Sequence, residues 1–417
     1  MPIVTREKAR KYWIPAACFA LTTVYLALIT CQFLAWYFGN SGDFKGLQLA
    51  ARLAPGNSEY RYRMGRYIAM AGQAEESTPQ YQAAISLNPY DARYWLSLAQ
   101  NYQILGDASR QAEALEKAVH ADPTSPSVAW EAANFYLLRN ENPKALSELR
   151  VVLESDPATS AIALQRCWRA LPNVDELLTN VVPHSAPTYL AFLDLLMSKQ
   201  ETAASAKVWN ALMQLHHPVE PRYVFDYVRF AIRQKQPEQA SAAWQQAAAM
   251  MGWSEYLPTS GNLLVNGDFS LDVLNGGFDW NYQKQPSVAL VIDPSEYHSG
   301  HSSLSIAFDG PGVNDAGIYQ FVSVAPNTDY EFNGFYKSED LDGAGGPVFA
   351  VHDLYGGQTL FQSDELKDAD FWKPVHGHVL TGPETRLVVV SVDRVPAGSP
   401  IRGKLWIDDL QLVQNQP

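Results

Sequence analysis

Apolar positions change their rhythm twice along this chain. From residue 43 to about 251 they recur at intervals of three and four, the spacing of helices that bury one face. Beyond residue 261 they alternate in twos, in short runs broken by Gly, Asp, Asn and Pro, which is the texture of strands and turns. Ahead of both, Ile14 to Phe38 carries no charge at all. The pattern therefore predicts one apolar helix, a long helical region and a C-terminal all-β domain.

The apolar segment is long enough to cross a hydrocarbon core of ~30 Å at ~1.5 Å per residue. Trp13 at one end and Trp36 and Tyr37 at the other suit the two membrane surfaces. Arg6, Lys8, Arg10 and Lys11 precede it against the single acid Glu7, so residues 1–12 are expected in the cytoplasm, 13–39 in the membrane and the remainder outside. A cleaved signal peptide would have an apolar core of only ~7–15 residues and small residues at the cleavage site. Here the run ends in Ala-Trp-Tyr-Phe-Gly, which favours a retained anchor. Leu28-Ile29-Thr30-Cys31 is a poor lipoprotein motif, because threonine precedes the cysteine and the apolar run continues past it.

Within the helical region Pro55, Pro89, Pro123 and Pro157 stand 34 residues apart. Between them, Trp95, Leu98, Ala99 and Tyr102, then Gly106, Leu115 and Ala118, recur as Met64, Gly65, Gly72, Tyr81 and Ala84, and again as Ala133, Tyr136, Ala145 and Leu149. Small residues allow close helix approach, and each proline ends the helix before it. These residues resemble tetratricopeptide repeats, which implies stacked antiparallel helix pairs over 43–159. Gln111 departs from that family's usual alanine. The stretch 43–53 is expected to be a lone second helix of a truncated first repeat. Residues 160–252 are expected to hold two or three divergent hairpins.

In the β region strands are predicted over 287–292, 303–308, 317–324, 330–337, 347–353, 371–379, 386–393 and 404–413, a β-sandwich or jelly roll. Asn262 to Phe269, Phe278-Asp279-Trp280, His298-Ser299-Gly300, Ser303-Leu304-Ser305-Ile306, Tyr330 to Lys337 and Trp406 to Leu410 resemble the carbohydrate-binding jelly rolls of the galactose-binding-like group across 261–417. The resemblance implies an opening strand at 262–269, core positions for Trp280 and Trp406, and a structural calcium near Asp268, Asp408 and Asp409. Gly334 stands where that family has a large residue. An anchor, tetratricopeptide repeats and such a domain together resemble proteins found with bacterial exopolysaccharide export and polymerisation systems. That implies a non-enzymatic adaptor whose repeats bind protein partners and whose jelly roll binds glycan. The alternatives are a glycan-modifying enzyme and a ligand-free assembly subunit.

Composition narrows the partners. A net charge of −13 and a pI near 5.1 argue against nucleic acid, which needs concentrated Lys and Arg. The three cysteines, Cys18, Cys31 and Cys167, leave a single thiol beyond the apolar segment and no disulfide there. Glycan binding needs exposed rings for pyranose faces and amides or carboxylates for hydroxyls. Tyr282, Tyr355, Phe361 and Trp372 are the candidate rings, and Gln320, Asn333, Glu331 and Asp353 the candidate polar partners. No Gly-x-Ser-x-Gly or His-Glu-x-x-His occurs, and Gly398 to Lys404 resembles a phosphate loop in letters only, with Leu405 where Ser or Thr is needed. Glu331, Asp353 and Glu365 would serve a glycosidase only if two of them met at a suitable separation. His216-His217 and His376-x-His378 lack further ligands. No enzyme and no required cofactor is expected.

Overall fold

The structure is a computed structural model that describes residues 4–155 and 159–415. Pro157, the fourth rung of the proline ladder, lies outside the described residues. The chain divides into two compact units, Met1–Pro183 and His184–Pro417.

The first unit is all helical. It comprises α1 (Val4–Gly39), α2 (Phe44–Leu53), α3 (Ser58–Met70), α4 (Ala74–Leu87), α5 (Ala92–Ile104), α6 (Ala108–Ala121), α7 (Pro126–Leu138), α8 (Asn142–Ser155), α9 (Ser160–Ala170) and α10 (Val174–Asn180). The proline ladder acts as expected from backbone sterics. α2, α4 and α6 end at Leu53, Leu87 and Ala121, two residues short of Pro55, Pro89 and Pro123. The intervening Ala54, Asn88 and Asp122 have ψ of 74, 93 and 87°, out of the helical region that a following proline disfavours. Gly72 and Gly106 take positive φ, 81 and 73°, at the turns inside the hairpins. Gly65 is small for a reason: a Cβ there would sit 2.8 Å from the Tyr81 ring.

One expectation changes here. The stretch 43–53 does form a helix, with Asp43 capping it by accepting the Gly46 N–H at 2.7 Å, but it is not alone. The last turns of α1 are its partner: Ala35 is fully buried in a cluster with Leu47, Ala50, Ala51, Ala54, Tyr60 and Met64, and Phe38 packs against that cluster. Pro15–Gly39 of α1 is long and apolar enough to cross a membrane.

The second unit begins with two helix pairs, α11 (Ala186–Ser198) with α12 (Thr202–Met213) and α13 (Pro221–Arg233) with α14 (Pro237–Met251). With α9 and α10 this makes three helix pairs across 160–251. The strands follow: β1 (Asn281–Tyr282), β2 (Val288–Asp293), β3 (Ser303–Gly310), β4 (Asp315–Ser323), β5 (Asp329–Gly343), β6 (Gly346–Asp353), β7 (Thr359–Gln362), β8 (Lys373–Leu380), β9 (Leu387–Val395) and β10 (Ile401–Gln414). They form two antiparallel five-stranded sheets, ordered β1-β4-β9-β6-β7 and β2-β3-β10-β5-β8. Tyr330, Phe332 and Tyr336 from β5 meet Phe349 and Val351 from β6 in the core between the sheets. Gly334 keeps that core closed, because a Cβ would lie 2.5 Å from Leu410.

Residues 262–269 are not the opening strand that the resemblance implied. Their backbone turns, with Asn266 and Phe269 at φ 52 and 50°. The segment is instead held by single bonds, Leu263 N–H to Leu412 O at 2.9 Å and Val265 to the Gln320 amide.

Within this unit α13 and α14 pack on the β structure. Phe225, Trp244, Trp253 and Phe278 form one aromatic cluster. Gly276 and Gly277 let the 275–280 loop lie against the Phe225 and Trp244 rings, where a Cβ on either would collide. The Tyr355 hydroxyl donates to the Ile232 carbonyl at 2.9 Å.

Candidate ligand-binding face of the jelly roll

The structure does not bring the eight candidate glycan residues together. Gln320 is fully buried and its amide bridges the Val265 backbone in both directions at 2.8 Å. Asp353 accepts from the Tyr355 and Gly356 N–H groups and from Thr385, so it ties a turn. Burial pushes its carboxyl up, but those hydrogen bonds win and hold it below the usual range. Tyr355 is spent on Ile232. Phe361 points inward, 5.3 Å from the Phe332 ring and tight against Gly377. Tyr282 remains 48% exposed at the edge of the first sheet.

Glu331, Asn333 and Trp372 belong to the other sheet. Glu331 and Asn333 alternate with the buried Tyr330 and Phe332, so they face outward, and Asn333 Oδ1 pairs with His376 Nδ1 at 2.6 Å. Trp372 meets His298 edge-on, and His298 in turn stacks on Phe335. Glu331 and Asp353 therefore sit on strands of different sheets, β5 and β6. Trp280 is a core residue, its indole N–H donating to Asn266 O. Trp406 lies flat on the outer side of β10, under Lys337 and Lys404, with its N–H on Asp293.

The proposed calcium carboxylates gather around the 298–300 turn, where each already accepts a hydrogen bond. Asp408 accepts the His298, Ser299 and Asp409 N–H groups at 2.6, 2.8 and 2.7 Å. These three N–H groups take up the Asp408 lone pairs a cation would need, while burial, the larger influence, raises its carboxyl above the usual range. Asp268 accepts from Ser270 N–H, and Asp409 from Gln411. Among the described residues no three His, Cys, Asp or Glu side chains gather as a metal site. This donor set does not fit calcium, which takes six to eight oxygens.

The face that does combine rings with convergent polar groups is the outer surface of β1-β4-β9-β6-β7. On β4, Tyr319 and Phe321 alternate with buried Ile318, Gln320 and Val322, so both rings face outward, packed edge to face at 5.3 Å. Strand register then sets two rows. Tyr319 lies beside Ser391, Ser391 beside Ala350, and Ala350 beside Gln362. Phe321 leads through Val389 and His352 to Thr359. A wall of two rings, a floor of small side chains and a polar far side result.

The polar side is one connected chain. Ser391 Oγ donates to Asp393 at 2.7 Å, His352 Nε2 meets the other Asp393 oxygen at 2.7 Å, and His352 Nδ1 meets Thr359 Oγ1 at 3.0 Å. Burial raises the Asp393 carboxyl, but the His352 and Ser391 hydrogen bonds outweigh it and leave it ionised, below its usual range. An ionised carboxylate only accepts, so His352 carries a proton on Nε2. The residue types are those of a hydrolytic triad in the wrong order. The serine bonds the aspartate, whereas nucleophilic attack needs the serine on the imidazole. Sequence reading missed this face because Ser391 and Asp393 on β9 meet His352 on β6 only through strand pairing.

No protein-family model and no curated sequence matches this chain. Solved structures similar to parts of it include a CBM4 structure, 14% identical, covering 36% of this chain and 99% of that one, TM-score 0.27. Another is the CBM22-1 xylan-binding domain of Paenibacillus barcinonensis Xyn10C, 17% identical, covering 38% of this chain and 98% of that one, TM-score 0.26. A third is the type III secretion chaperone SycD of Yersinia enterocolitica in complex with a peptide of the translocator YopD, 22% identical, covering 27% of this chain and 90% of that one, TM-score 0.25.

Proposed function

We propose that this protein is a non-enzymatic, membrane-anchored adaptor in cell-envelope or exopolysaccharide assembly, its hairpins holding a protein partner and its jelly roll holding glycan. The observation that carries the glycan part is the outer face of β4, β9 and β6, where Tyr319 and Phe321 stand opposite the Ser391–Asp393–His352–Thr359 chain. Rings take the C–H faces of a pyranose, and a fixed array of acceptors and donors takes its hydroxyls. The burial of Ala35 shows that the last turns of α1 belong to the Leu47–Tyr60 cluster, so cleavage after Ala35 would strip a wall from it, which favours a retained segment. The positive residues Arg6 to Lys11, ahead of the apolar stretch of α1, favour a cytoplasmic N-terminus, which leaves the hairpins and jelly roll outside. The exopolysaccharide assignment rests on the resemblance of the domain combination, and neither a catalytic residue nor a cofactor is assigned.

Titration of the detergent-solubilised full chain with extracted envelope polysaccharide tests the reading. Tyr319→Ala is expected to weaken binding about tenfold, from loss of stacking worth ~1–1.5 kcal/mol. No binding to any envelope polysaccharide by the wild type would overturn it and leave the β domain as an assembly module.

A further inference from the structure

The two sheets of the jelly roll end on β1 and β7, and on β2 and β8. Three of these edges are guarded. β1 has two residues and β7 four, and β8 carries Lys373, Pro374, His376 and His378. Shortness, lysine and proline are devices that keep an edge from adding a strand. β2 has none of them. Its six residues, Val-Ala-Leu-Val-Ile-Asp, hold no Lys, Arg, Pro or Gly and no charge before Asp293. It follows β3 from Val288 to Asp293 without a bulge.

Strand register shows which polar groups this edge leaves open. Just before β2 and in the same register, Ser287 O accepts the Asp309 N–H at 3.1 Å, so the odd-numbered residues exchange hydrogen bonds with β3. Leu290 and Ile292 therefore aim both N–H and C=O away from the sheet. The Val288 N–H is partly used, reaching the Gln285 carbonyl at 3.4 Å. Among the described residues β3 is the only strand that pairs with β2. Side chains follow the same opening. Val291, on the outer face, is 59% exposed, and Ile292, on the side of Val288 and Leu290, is still 37% exposed. A strand laid along β2 would cover part of each.

Charge selects the occupant. Lys284 precedes β2, whereas Asp293 ends it and Glu296 follows. A second copy laid antiparallel sets the basic end of one strand beside the acidic end of the other, and a parallel copy sets like against like. The open groups select the register. With Val291 opposite Val291 across a two-fold axis, Leu290 of each copy faces Ile292 of the other. Both pairs then exchange N–H···O=C bonds, and every group used is one that β2 leaves open. The two Val291 side chains meet on the outer face at the close spacing of a non-hydrogen-bonded pair, ~4.5 Å between Cα atoms. Pro286 and Pro294 close the run on either side.

We infer that β2 is a self-pairing edge, along which two copies of this chain join antiparallel about Val291 into one continuous sheet. The contact is short, so the pairing is expected to be reversible. It stands apart from the glycan reading, which it would serve by carrying two Tyr319–Phe321 faces in one assembly and so raising avidity for a repeating polymer.

The test uses the full chain in detergent with Cys18→Ala and Cys31→Ala, Cys167 being fully buried. Sedimentation over a range of concentrations should show a reversible dimer. Val291→Lys, at an exposed site, should weaken it about tenfold or more and leave the thermal melt unchanged. Val291→Cys should give a disulfide-linked dimer on mild oxidation, whereas Ala289→Cys, which this register sets opposite Asp293, should not. A monomer at every concentration, or a dimer that Val291→Lys leaves intact, would overturn the inference. Crosslinking through Ala289→Cys in place of Val291→Cys would overturn it as well. A monomer whose Leu290 and Ile292 amides gain exchange protection from an added peptide of alternating Thr and Val would assign the edge to a strand of another protein and rule out self-pairing.

Discussion

Asp279 shows how far one residue can depart from its sequence reading. It lay inside a Phe-Asp-Trp phrase where the tryptophan drew attention. In the structure its carboxyl is fully buried, one oxygen accepts the Leu274 N–H at 2.7 Å, and the other has no hydrogen-bond partner among the described residues. Burial raises its pKa to about 6, against hydrogen bonds that act the other way. A raised carboxylate pKa penalises the folded state above pH ~6, and the penalty fades as pH falls towards the unfolded value near 4. Asp279→Asn keeps an acceptor for Leu274 and removes the charge. It should stabilise the second unit at pH 7.5 by on the order of 2 kcal/mol, and by less than half as much at pH 4.5. Thermal melts of both proteins across that range check this, and an equal gain at both ends would refute the charge as the cause. Two of the glycan candidates are occupied for a related reason. Residue type says that Gln320 and Asp353 can bind hydroxyls, but not that backbone groups have already claimed them.

At the scale of elements, the hairpins follow from local rules. Small residues, turn glycines and helix-ending prolines act within one repeat, so the 34-residue period was enough to place α3 to α8. Gly65→Val should therefore cost about 2 kcal/mol or more, because the added carbons meet the Tyr81 ring with little room to move; chemical denaturation of the full chain reads it. Strands were legible to within a few residues wherever one face was buried, as in β5. The short β1 and β7 escaped, being two and four residues long, too short for a period to show. The 262–269 stretch reads as a strand and turns instead, because it meets β10 through scattered bonds at Asn262, Leu263 and Gly267, and the Gln320 side chain at Val265, rather than through a ladder. Gly377→Ala is expected to expel Phe361 from its place against β8 and lower the melting temperature by several degrees. Differential scanning fluorimetry would show it, and no change would mean the ring relaxes without cost.

For the whole molecule, the join between the apolar helix α1 and the repeats matters most. α1 ends inside the first hairpin's core, so no flexible linker separates the apolar segment from α2. Deleting residues 1–39 should expose Leu47, Ala50 and Tyr60 and make the product self-associate. Retaining 31–39 with its apolar face intact should largely prevent that, as gel filtration of the two forms would show. Orientation is tested separately: a reporter fused after residue 417 that works only in the cytoplasm would reverse the topology argued from Arg6 to Lys11.

By itself the sequence determined the charge-free N-terminal helix, the repeat period, the change to strands near residue 261 and the acidic balance. Each depends on residues close in the chain or on sums over it. Tertiary structure alone decided that α1 completes the first hairpin, that α13 and α14 pack with the jelly roll, and that Tyr319 faces the Ser391–Asp393–His352 chain. Those outcomes depend on strand order and register, which place side chains 30 to 70 positions apart on one surface, and on which polar atoms the backbone occupies first.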